Sequence, residues 1–105
     1  MPQLQEHVRI ALQRTDISAE AFLEMRSPIR HAIGLMIAAY NHEDQVEGTR
    51  IFEVCKNRLT GDCSERPSNI ENTYALGVLY SIWSTCECLL NNQRQYRQQM
   101  NAPLN

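Results

Sequence analysis

Apolar residues recur every three to four positions along most of the chain, and nowhere do apolar and polar residues alternate for the length of a strand. That spacing is the mark of helices with one side buried, so the fold class read from the pattern is all-α. Pro2 to about Arg14 sets Leu4, Val8, Ala11 and Leu12 on one side and Gln5, Glu6, Arg9 and Gln13 largely opposite, as a surface helix does. A short helix from Ala19 to about Met25 follows. Ser18 can accept from the N–H groups of its first turn, and Glu20 sits at the positive end of its dipole.

The stretch "SPIRHAIGLMIAAYN" restarts at once, with Ser27 as N-cap candidate and Pro28 at the first helical position, where a missing N–H costs nothing. Ile29, Ile33, Met36, Ile37 and Tyr40 form its stripe, while Gly34 and Ala38 leave a shallow face that another helix can approach closely. "NHED" then opens a helix from about Glu43 to Leu59, capped by Asn41 or His42. Acids near its start and Lys56 and Arg58 near its end match the dipole. Its inward set is Val46, Ile51, Val54, Cys55 and Leu59, and Gly61 marks its end.

"TGDCSERPS" reads as a loop. The last helix starts at about Asn69 behind a capping box of Ser68 and Glu71 and runs to about residue 95. The expectation is a bundle of about five helices with this long C-terminal helix (about 69–95) central. Residues 1–95 form one helical domain and 96–105 an amide-rich, flexible tail. A chain of 105 residues buries only about two-thirds of its unfolded surface, so one thin core is what it can build.

The most apolar run, "YALGVLYSIWSTCECLL", Tyr74 to Leu90, decides between three classes of function. As a membrane span it is at the short edge of the required length and carries Glu87, two serines and a threonine. As a metal or redox site it fails on geometry, because Cys86 and Cys88, two apart on a helix, point about 200° away from each other. It reads best as a core helix. One side carries Leu76, Leu79, Tyr80, Trp83, Cys86 and Leu90 and the other Val78, Ile82, Thr85 and Leu89, so both sides need cover.

Charge and candidate chemistry narrow this further. Net charge is −2 with the bases scattered, which argues against a nucleic-acid or anionic-membrane surface as the main business of the fold. No secretory signal opens the chain, so a cytoplasmic location is expected and the four cysteines default to reduced thiols. No phosphate loop, GxSxG or HExxH occurs, and no cofactor or metal is expected. His42, Glu43 and Asp44 are the densest group of acids and bases, and they suit a helix start better than a catalytic site. Asp62 and Glu65 beside Cys63 would raise that thiol's pKa rather than activate it.

The function expected is a non-enzymatic protein–protein interaction module: an adaptor, inhibitor or regulatory subunit, homodimeric as small domains commonly are. Met36, Tyr40, Tyr74, Tyr80, Ile82 and Trp83 are the candidate contact residues, since aromatics and methionine are enriched at interface centres. The alternative is a nucleic-acid-binding transcriptional regulator that uses the 18–40 helix pair with Arg26 and Arg30.

Overall fold

A computed structural model describes residues 4–65 and 70–101, and of these the side chains of all but 62–65, 70–72 and 101. Five α-helices make up the described residues: α1 (Glu6–Arg14), α2 (Ala19–Leu23), α3 (Ser27–Asn41), α4 (Gln45–Glu65) and α5 (Ile70–Asn101). The all-α bundle read from the apolar spacing is therefore the observed fold. α5 packs against α1, α3 and α4, and α3 likewise touches the other three long helices. None of the described helices is long and apolar enough to cross a membrane.

Local chemistry explains the start of α2 and the ends of α1 and α3. Ser18 caps α2 by accepting the Ala21 N–H at 3.1 Å, as its residue type predicts. α1 and α3 both end in a Schellman motif with an acidic residue in the left-handed position, Asp16 (φ 57°) and Glu43 (φ 62°). Ile17 N–H reaches Leu12 C=O and Asp16 N–H reaches Gln13 C=O; Asp44 N–H reaches Ala39 C=O and Glu43 N–H reaches Tyr40 C=O. Glycine usually fills that position, and its absence is why the sequence does not advertise these stops.

Three expectations about caps and ends are corrected. Ser27 is the first residue of α3 and Arg26 its cap, which makes no side-chain bond. The cap of α4 is Asp44, whose Oδ1 accepts the Glu47 N–H at 3.0 Å, in place of Asn41 or His42, which close α3. α4 continues through Gly61 to Glu65, so the expected loop is helical over residues 60–65. A C-cap glycine takes positive φ, and among the described residues no glycine does. Gly61 lies within the helix at a cost of about 1 kcal/mol. The capping box of Ser68 and Glu71 and the thiol of Cys63 lie outside the described residues. α5 holds its helical form to Asn101, with residues 91–100 all exposed.

The core is Val8, Leu12, Phe22, Ile33, Met36, Ile37, Phe52, Leu59, Leu79, Ile82 and Leu90 with smaller residues between them. Two helix phases differ from the sequence reading. In α4 the inward stripe is Gly48, Ile51, Phe52, Cys55 and Leu59, while Val46 is 83% and Val54 58% exposed. In α5 the two apolar sides merge into one stripe of Ala75, Val78, Leu79, Ile82, Cys86 and Leu90, and the opposite side, with Tyr74, Gly77, Ser81, Ser84 and Cys88, faces out. Gly34 does admit a neighbour: a Cβ there would lie 3.8 Å from Val8 of α1.

Candidate functional site

α3 carries a distinct feature on each side. On its inner side Tyr40 reaches a polar knot where α3, α4 and α5 meet. Its hydroxyl donates to Glu87 Oε1 at 2.5 Å, and that spends its only proton. Trp83 Nε1–H (3.0 Å) and Thr49 Oγ1 (3.2 Å) therefore donate to the same oxygen. Gln45 Nε2 donates to the other Glu87 oxygen at 2.8 Å, and Arg94 donates to Gln45 Oε1 at 2.6 Å.

The Tyr40 ring lies on Gly48, where a Cβ would stand 2.6 Å from Cε2. This close approach explains a glycine that otherwise weakens the first half of α4. Above the knot, Phe52 stacks on Trp83 with ring centres 4.3 Å apart and meets Tyr80 edge-on at 5.3 Å.

The titratable groups of this region are tuned for structure. Burial, reinforced by the hydrogen bond to Glu87, pushes the Tyr40 phenol up to about 12. Burial, with the Glu87 charge beside it, pushes the Cys86 thiol up to about 11, and burial raises Cys55 as well. A phenol or thiol moved this way is held protonated at neutral pH, the opposite of what a nucleophile or base requires. The "NHED" acids are also occupied: Glu43 forms an ion pair with Arg97, Asp44 caps α4, and His42 is exposed. Among the described residues no three His, Cys, Asp or Glu side chains gather as metal ligands would.

On its outer side α3 presents Leu35, 49% exposed, as a ridge between two grooves. One, of about 290 Å³, lies against α1 and α2 with Val8, Phe22, Leu23, Gly34 and Ala38 in its lining. The other, of about 210 Å³, lies against α4 with Ile29, Ala32, Ile51 and Val54 in its lining. The two share His31 and Leu35. Arg30 lines the first, Arg50 and Arg58 the second, and among the described residues no carboxylate lines either.

The chain has no match among family models, curated proteins or solved structures. The Leu35 face thus combines exposed apolar area with bordering arginines.

The predicted contact residues divide. Met36, Ile82 and Tyr40 are 0%, 0% and 5% exposed and lie in the core of a single chain. Trp83 is partly buried by Phe52 and Tyr40, whereas Tyr74 and Tyr80 are exposed, at 49% and 42%. Of the alternative pair, Arg26 is exposed at the α2–α3 corner, and Arg30 donates from Nε to the Met25 carbonyl at 2.9 Å.

Sequence reasoning missed Phe52 and Leu35. Phe52 follows once α4 is phased on Gly48 and Leu59. Leu35 is an apolar residue off the α3 stripe, which is the signal that could have marked it.

Proposed function

We propose that the protein is a cytoplasmic protein–protein interaction module, an adaptor, inhibitor or regulatory subunit that performs no chemistry of its own. The observation that carries this reading is the Leu35 face. Two adjoining apolar grooves stay open on a small domain whose other large apolar side chains are mostly packed away. The shifts of Tyr40, Cys55 and Cys86 away from reactivity support the same reading. So does the use of Glu43 and Asp44 in local pairing and capping.

Self-association belongs to this reading too. Tyr74 and Tyr80 stand out on α5, away from the buried stripe, where a second copy can cover them. Light scattering at micromolar concentration is expected to give about twice the 12.1 kDa chain mass; a monomer mass at every concentration refutes the dimer.

The module itself is tested with a photo-crosslinking residue in place of Leu35, in cells of the native host, with the same residue in place of exposed Ser84 as control. A discrete protein adduct from position 35 that the control lacks is the expected result. Equal or absent adducts from both positions sink the reading.

A further inference from the structure

We propose that the α3–α4 groove is the seat of an acidic amphipathic helix supplied by a partner protein, an inference that rests on the interaction-module reading above. Only three residues separate α3 from α4, so the two helices run back to back and their side chains form a trough. Its apolar floor is Ile29, Ala32 and Leu35 from one wall and Ile51 and Val54 from the other. Pro28 to Leu35 spans about two helical turns, roughly 10 Å, which matches the apolar stripe of a partner helix of about three turns. Val54, 58% exposed, and Leu35, 49% exposed, gain most from being covered.

Charge selects the occupant. The chain holds 12 acids against 10 bases, yet among the described residues the charged groups lining this groove, Arg50 and Arg58, are both arginines. The antiparallel run puts Arg58 toward the Pro28 end and Arg50 toward the Leu35 end, with His31 on the shared ridge. Arg58 has no carboxylate within ion-pair distance among the described residues, and Arg50 holds only its own-helix neighbour Glu47. Cations flanking an apolar floor are complementary to a helix with acids on both borders of an apolar stripe.

A nucleic-acid backbone suits the site less well, since it would cover Leu35 and Val54 with phosphate. A second copy of this chain does not supply the ligand from its exposed helix end either. The outward part of α5, residues 91–100, carries amides, Arg94 and Arg97 and no acid.

The test is a display selection of random helix-forming peptides on the immobilised full-length protein, followed by fluorescence anisotropy of the winners. Enrichment of peptides with apolar residues at i, i+3, i+4 and i+7 and a net negative charge is expected. Their affinity should fall at least about tenfold for Val54→Asp and for Arg58→Glu, each first shown to melt like the parent. The double variant Arg50→Glu with Arg58→Glu should turn the preference toward the same peptides with lysine for glutamate. Neutral or basic winners, no winners, or acidic winners indifferent to both single substitutions overturn the proposal. If a crosslinker at Leu35 still captures a protein in cells, the module reading survives that failure; loss of both results removes both.

Discussion

The two sides of α3 are made of similar residues and do opposite things. Inward, Ile33, Met36, Ile37 and Tyr40 are all 5% exposed or less, and the one polar atom among them has three partners drawn from α4 and α5. Outward, His31 and Leu35 stand between grooves whose cations find no carboxylate in the lining among the described residues. The closed side is complete within one chain, because burial is affordable when every polar group meets its complement. The open side keeps exposed apolar surface, and of its cations Arg50 is paired with Glu47 and Arg30 with the Met25 carbonyl, whereas Arg58 has no ion-pair partner among the described residues. Stability therefore resides on one side of α3 and the proposed recognition on the other, and substitutions should separate them.

The largest separation is expected from truncation. Ile82→Ala or Met36→Ala should cost about 2–5 kcal/mol in denaturant unfolding, whereas Leu35→Ala should change stability by no more than about 0.5 kcal/mol. A Leu35→Ala cost equal to that of Met36→Ala would erase the distinction.

Glycine gives a sharper pair. Gly48→Ala puts a methyl into the Tyr40 ring, which is held by three hydrogen bonds and cannot swing aside, so a loss of about 1–3 kcal/mol is expected despite better helix propensity. Gly77→Ala meets nothing within 4 Å and should stabilise by up to about 1 kcal/mol. Thermal melts of the two variants should move in opposite directions; movement in the same direction would show that the ring is not fixed.

The closed side should also respond to alkali. Tyr40 is raised from 10.0 to about 12, so the folded state favours the neutral phenol. Its contribution is fully present below pH 10 and is lost as pH rises through about 12. Unfolding free energies should fall across that window, and Tyr40→Phe should be less stable below pH 10 and lose that part of the slope. An unchanged slope in Tyr40→Phe would mean that the knot does not hold the proton.

The mildest probe is a thiol reagent at neutral pH. Cys88 on the exposed side of α5 should react quickly, and Cys55 and Cys86, buried with raised pKa, only at the rate of unfolding. Cys86 and Cys88 share one tryptic peptide, so fragment ions from tandem mass spectrometry read which thiol is labelled, and early labelling of Cys86 would show a loose core.

What was legible in the sequence was whatever one helix decides alone. Ser18 as a cap, Pro28 near the start of α3 and the stripe from Ile33 to Tyr40 all follow from spacing and residue type. The phases of α4 and α5 were harder, because an apolar residue at the edge of a stripe looks the same whether its neighbour helix reaches it or not. Val54 was placed inside and stands out; Phe52 was passed over and lies at the centre of an aromatic stack. The knot was invisible because Tyr40 and Glu87 are 47 positions apart and nothing local announces their meeting. Leu35 itself is marked in the sequence as an apolar residue off the α3 stripe, but the two grooves beside it are legible only once it is known which helices fail to cover it.

That separation of 47 positions also has a consequence for the order in which the molecule is made. Tyr40 and Thr49 are nine apart, so α3 and α4 can meet at little loop-closure cost, whereas the bonds to Trp83 and Glu87 wait for a far longer segment. Among the described residues, those lining the two grooves all precede Leu59. On a translating ribosome the described lining of the proposed recognition face is thus delivered before α5 emerges, and α5 on arrival packs against helices that carry it.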